Sequence, residues 1–263
     1  MIAQWRLFLL ALRYFTRLPV PAGIIAAEAL GEGHWDSAAR FLPAVGAIVG
    51  LIAGGVYWLA AQLWPTSIAV VLSMLAAVLT TGGLHEAGLA ALCAWLAGTP
   101  AGDLAPGRDG SRASAFGVLG LVFALLIKYN VLMALSAANL GFVLPENLAL
   151  GLIMIAAHAA SRALVVSVIP ATEGPRTSVR ATAPASRLST GELSFALLTG
   201  FAPATVLGTP GLFGLAAAII MRMALAEYNR RRLRERPGDF LGATQQLTEL
   251  GFYLGGLAAW TYI

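Results

Sequence analysis

A chain of 263 residues that is 58% hydrophobic and only 11% charged cannot clothe itself in a water-facing surface, since soluble domains carry about 25% charged residues. This composition excludes a soluble enzyme, no nucleic-acid partner is expected, and the lone Cys93 rules out an internal disulfide or a cysteine metal cluster. What remains is an all-α, polytopic integral membrane helical bundle in contact with the lipid bilayer, forming one domain over 1–263, with abundant glycine for close helix packing.

In chain order, "MIAQWRLFLLALRYFTRLPVP" is too interrupted by arginine to span. Arg6, Arg13 and Arg17 share one helical face, with Trp5, Phe8, Leu9 and Leu12 on the other. That is the pattern of a helix lying in the interface over 1–22, stopped by Pro19 and Pro21. It lacks a single apolar core with a cleavage site behind it, so a retained N-terminus is expected. Seven stretches then approach the roughly 20 apolar residues of a spanning helix: 41–63, 68–97, 115–137, 147–169, 193–207, 211–227 and 244–263. The fifth and sixth are short and separated by "GTPG", which predicts a tight helical hairpin. The second would be about 45 Å long as one straight helix. Because a hydrocarbon core is about 30 Å thick, a break is expected at Gly82–Gly83.

The loops alternate in charge. Those on one side hold Arg40, Arg108, Arg112, Arg176, Arg180, Arg187 and the "RRRLRER" cluster, while "WPTS", "AANLGFVLPE" and "GTPG" on the other contain no Lys or Arg. The positive-inside rule therefore predicts a multi-pass protein with N-terminus and basic loops cytoplasmic and C-terminus outside. All long loops fall on the cytoplasmic side, which suits an enzyme served from one face; a transporter needs access from both.

Ionisable residues inside spans are expensive and mark candidate sites. Here they are His85, Glu86, Lys128, His158, Arg162, Arg222 and Glu249. His158 and Arg162 are four apart and share a helix face, as do Gln245 and Glu249. The bland reading is interhelical pairing, Glu249 with Arg162 for example; Lys128 and Arg222 are read as snorkelling or pairing, with no chemistry assigned. "GRDGSRASAFG" is either a turn offering backbone N–H groups and Arg112 to phosphate or a solvated connector. Asp239 is either a helix cap or part of a site, and "RRRLRER" a topology determinant and headgroup contact.

Taken together, "RYFTRLPVP", "ARFLPAVGAIVG", "GGLHEAGLA", "SRASAFGVLGLV", "AASRAL" and "GDFLGATQQLTEL" resemble the cobalamin-5′-phosphate synthase family in sequence and spacing over nearly the whole chain. The resemblance implies a magnesium-dependent phosphotransferase of the adenosylcobinamide-GDP ribazoletransferase type. Its substrates would be adenosylcobinamide-GDP and α-ribazole or its 5′-phosphate, with GMP released. It further implies that Glu86, Asp109, Asp239 and Glu249 hold or orient magnesium and that His85, Glu86, Asp239 and Glu249 form the catalytic set. Ser111, Arg112, His158 and Arg162 would bind substrate, and a homo-oligomer stays open. Where the family places three aspartates, this chain has Ala87, Ala91 and Ala94, with Trp95 for the closing glycine, Gly110 at a further acid position, and Gln246 where an acid is common. Three readings follow: an active synthase using its remaining acids, a non-catalytic homologue that keeps the scaffold, or a membrane transporter or interaction protein.

Overall fold

The computed structural model describes residues 2–21, 34–96, 108–138, 146–169, 188–232 and 237–262, with the backbone alone at 2–3, 34–36, 108–114, 146–147, 232 and 237–239. Among them are ten helices and no strand: α1 (Ile2–Phe15), α2 (His34–Ala39), α3 (Leu42–Ala60), α4 (Thr66–Thr81), α5 (Leu84–Leu96), α6 (Arg108–Ala137), α7 (Glu146–Val166), α8 (Thr190–Thr205), α9 (Gly208–Arg232) and α10 (Pro237–Tyr262).

Helix α7 is the centre of the bundle, its apolar stretch enclosed by the other helices. The reason is written in α3, where Gly46, Gly50 and Gly54 recur every fourth residue and line one face. A Cβ at Gly50 would stand 2.6 Å from Ile155 Cα, and one at Gly54 2.8 Å from Gly151 Cα, so the two backbones touch. In lipid, where water gives no drive between helices, such contact is a main source of packing energy. Helices α6 and α9 are peripheral. Phe116, Leu119, Val122, Phe123 and Ile127 of α6 are exposed, as a lipid-facing surface should be.

By length and composition, four helices qualify as spans: Leu42–Ala60, Ala115–Ala137, Leu148–Val166 and Gly208–Arg231. The stretch 68–97 is the bent pair α4 and α5, turned by 93° at the expected glycines. Two of the seven expected spans do not qualify. Helix α8 has only 16 residues, about 24 Å, and α10 carries Gln245, Gln246 and Glu249 in its middle, buried against α5 and α7. A helix shielded by its neighbours need not be apolar, so hydropathy alone does not decide whether α10 crosses.

Helix α1 forms over the expected interfacial segment and packs Leu7, Leu10 and Ala11 against Ala38 and Val45, leaving Trp5 exposed. Helix α8 opens on a capping box: Ser189 Oγ accepts from Glu192 N–H at 3.3 Å, and Ser189 N–H donates to Glu192 Oε2 at 3.0 Å. Arg40 Nη1 donates to Glu192 Oε1 at 3.0 Å, tying this end to the start of α3. Burial pushes the Glu192 carboxyl up, but the Ser189 backbone, the Ser37 and Ser189 hydroxyls and Arg40 outweigh it and hold the group below its ordinary value. The turn into α9 falls at Val206–Leu207, and α9 begins at Gly208 with "GTPG" inside its first turn, where proline is tolerated. At the other end of α9, Glu227 pairs with Arg230 at 2.7 Å and with Arg231, so it belongs to the basic end of the helix.

Candidate active site at the α4–α5 elbow

Helix α4 ends because Gly82 and Gly83 both take left-handed backbone, with φ of 68° and 69°. Gly82 N–H donates to Leu79 O and Gly83 N–H to Val78 O, a Schellman ending that suits glycine in this region. Arg17 seals the elbow. Its N–H donates to Thr80 O at 2.7 Å, and its side chain lies over Gly82, where a Cβ would sit 2.4 Å from Arg17 Nε. The motifs "TRLPVP" and "GGLH", far apart in sequence, are thus one feature in space.

The elbow delivers the first turn of α5 into the protein interior. Gly242 of α10 packs on this turn, where a Cβ would lie 3.0 Å from Gly88 Cα and 3.2 Å from His85 O. That approach allows Gln246 Nε2 to donate to Glu86 Oε1 at 2.9 Å. Glu86 Oε2 and His85 Nε2 are buried with no protein partner. Buried polar atoms rarely go unmatched, and two on adjacent residues mark a place for a ligand or water.

Behind them lies a polar cluster shared by α6, α7 and α10. Glu249 is fully buried; its Oε2 is hydrogen-bonded, while Oε1 faces a cation without a directed hydrogen bond. Lys128 Nζ stands 2.5 Å from Oε1; His158 Nδ1 at 3.1 Å and Gln245 Nε2 at 2.6 Å reach Oε2. Gln245 Nε2 also lies 3.3 Å from Ser161 Oγ. Arg162 Nη1 donates to His158 O at 3.1 Å and lies 3.1 Å from His158 Nδ1, while its Nε has no partner. Arg162 reaches this position past Gly46, where a Cβ would sit 2.7 Å from Arg162 Cδ.

Among the site residues read from the sequence, His85, Glu86, His158, Arg162 and Glu249 belong to this region. The side chains of Asp109, Ser111, Arg112 and Asp239 lie outside the described residues. The pairing of Glu249 with Arg162 is replaced by Glu249 with Lys128 and His158. Lys128, read as snorkelling or pairing, pairs with Glu249; its signal is a charge midway along a span, which must face the bundle interior. Tyr253, whose ring centroid is 5.9 Å from Lys128 Nζ, and Ser161 gave no such signal. Arg222 pairs with neither acid and instead donates from Nε to Ser167 Oγ at 3.1 Å and from Nη2 to Ser167 O at 2.9 Å, capping the end of α7.

A magnesium ion asks for several oxygen ligands. Among the described residues no three His, Cys, Asp or Glu side chains gather to hold a metal. Glu249 could ligate only by giving up Lys128 and His158. Glu86 Oε2 is the described carboxylate oxygen that fits, and Ala87, Ala91 and Ala94 on the same helix supply none.

Residues 7–258 match the cobalamin-5-phosphate synthase family. A Leptothrix cholodnii protein named adenosylcobinamide-GDP ribazoletransferase is 39% identical over 98% of this chain and 97% of its own length. Proteins of the same name from Ralstonia pickettii and Ralstonia nicotianae are 35% and 37% identical, over 98% and 96% of this chain and 96% and 94% of their own. No solved structure matches. With kinship running from α1 to α10, the chain belongs to the cobalamin-5-phosphate synthase family.

Proposed function

We propose that this protein is an adenosylcobinamide-GDP ribazoletransferase, joining α-ribazole or its 5′-phosphate to adenosylcobinamide-GDP in cobalamin biosynthesis. Full-length kinship with proteins of that name supports the reading. The observation that carries it into the structure is the pair of unpartnered buried atoms, His85 Nε2 and Glu86 Oε2, on the first turn of α5. In the reaction a ribose hydroxyl oxygen bonds to the phosphorus attached to cobinamide, the bond from that phosphorus to the bridging oxygen breaks, and GMP leaves. His85, in the tautomer that carries its proton on Nδ1, offers the Nε2 lone pair to the hydroxyl proton. Arg162, a buried cation with a free Nε–H, holds a phosphate oxygen. Gln246 fixes Glu86 so that Oε2 faces the site.

Magnesium is part of the proposal. Glu86 would hold it through Oε2, with Asp109 and Asp239 as the further acids. Bound there, the ion supplies charge neutralisation for the pyrophosphate. The orientation belongs to the proposal too, with the basic loops and the site open to the cytoplasm of a bacterial inner membrane. A second reading, a non-catalytic homologue, is favoured by the alanines at 87, 91 and 94.

The deciding experiment is GMP release by the purified protein with both substrates, with and without magnesium. Magnesium-dependent release establishes the transferase. No release from the wild type, but release after Ala87→Asp, Ala91→Asp and Ala94→Asp together, establishes a scaffold that has lost its metal ligands. No release from either refutes the proposal for this chain.

A further inference from the structure

We infer that Lys128 is a positioning residue that keeps the Arg162 guanidinium free for a phosphate of the substrate, an inference that rests on the transferase reading above. Glu249 is flanked by two fixed cations, one from α6 and one from α7. On one side Lys128 Nζ touches Oε1 at 2.5 Å. On the other, His158 Nδ1 is 3.1 Å from Oε2 and 3.1 Å from Arg162 Nη1, so an imidazole nitrogen stands between carboxylate and guanidinium. An ionised carboxylate only accepts hydrogen bonds and a guanidinium only donates them. A proton on Nδ1 therefore serves Glu249 and leaves Arg162 to the His158 carbonyl, which it reaches at 3.1 Å.

The charge balance gives this arrangement its consequence. Lys128 and Glu249 neutralise one another. Among the described residues no carboxylate pairs with Arg162, whose Nε is also without a partner at 1% exposure. Such a cation is suited to an oxyanion with several acceptor oxygens, as a phosphate or pyrophosphate is. Without Lys128, Glu249 becomes a buried anion lacking its closest counter-ion, and the cation nearest to hand is Arg162, beyond His158. The guanidinium is drawn toward Glu249 and its donors are spent inside the protein. Lys128 thus acts through Glu249 on Arg162 and need not touch the substrate.

The competing account makes Lys128 a simple tie between α6 and α10. Binding of inorganic pyrophosphate, measured by calorimetry on the protein in lipid nanodiscs without divalent cations, separates the two, with the thermal midpoint followed in parallel. Wild type binds pyrophosphate. Lys128→Met loses about tenfold or more in affinity, beyond what its midpoint explains, and Lys128→Arg keeps it. The double variant Lys128→Met with Glu249→Gln removes the anion that would capture Arg162, so it recovers affinity to within about threefold of wild type although the ion pair is gone. A wild type that does not bind pyrophosphate overturns the inference, as does a folded Lys128→Met that binds it normally. Should Lys128→Met not fold, the double variant decides, and weak binding by it overturns the inference. Failure of the transferase reading looks different: pyrophosphate binding follows this pattern while the wild type releases no GMP.

Discussion

Gly46→Ala and Gly55→Ala make the same chemical change on α3 and should have opposite results. A Cβ at Gly46 would stand 2.3 Å from His158 O and 2.7 Å from Arg162 Cδ. Carbon and oxygen in ordinary contact sit about 3.3–3.6 Å apart. The α3 and α7 backbones would have to part by about 1 Å, along an interface that continues through Gly50 and Gly54. Overpacking of this kind costs about 1–3 kcal/mol. At Gly55 a Cβ meets nothing within 4 Å, so alanine brings only its better helix propensity, up to about 1 kcal/mol. The two variants should therefore differ by roughly 1–4 kcal/mol, read as midpoints of unfolding in detergent. Gly46→Ala should also weaken pyrophosphate binding, because the displaced contact includes Arg162. Equal midpoints for the two variants would refute the claim that backbone contact at this face holds α3 to α7.

Gln246→Glu should lower thermal stability without magnesium and gain stability on its addition, because a second carboxylate facing Glu86 across 2.9 Å repels it unless a cation intervenes; a midpoint indifferent to magnesium would count against a metal at Glu86. Gln246→Leu should cost about 1–3 kcal/mol by leaving Glu86 without its donor, with a matching loss of GMP release. Glu192 has a folded value below its unfolded one, so its contribution is present above the unfolded value near 4.3 and is lost as pH falls through that value toward the folded one. Glu192→Gln should lower stability at neutral pH, where the ionised carboxylate contributes, and flatten the acid side of the curve so that variant and wild type converge at low pH, as an unfolding series in pH would read. Reporters placed in 228–236 and after Ile263 should lie on opposite sides of the membrane, and finding both on one side would mean that α10 does not cross.

The chain's own order of residues settled those features that depend on local chemistry. Two glycines inside a stretch too long for the bilayer predict a break, and the break is at Gly82–Gly83 because only glycine takes this backbone without strain. The helical class follows from composition, since a chain in lipid must satisfy its backbone hydrogen bonds internally. The polar face of α10 was visible as Gln245 and Glu249 four residues apart. What could not be read was who meets whom. Several ionisable groups on different helices allow many pairings, and helix rotation and tilt, set by packing, select among them. Gly46, Gly50 and Gly54 draw α7 against α3, and Gly242 draws α10 against α5. Those contacts give Glu249 to Lys128 and His158 and leave Arg162 with a free donor. They also bury α10 so fully that its polar residues are no obstacle, which is why hydropathy could neither count it as a span nor exclude it. Side-chain identity is a property of one position, whereas an ion pair between helices is a property of the two surfaces that bring it together, and only the assembled bundle contains both.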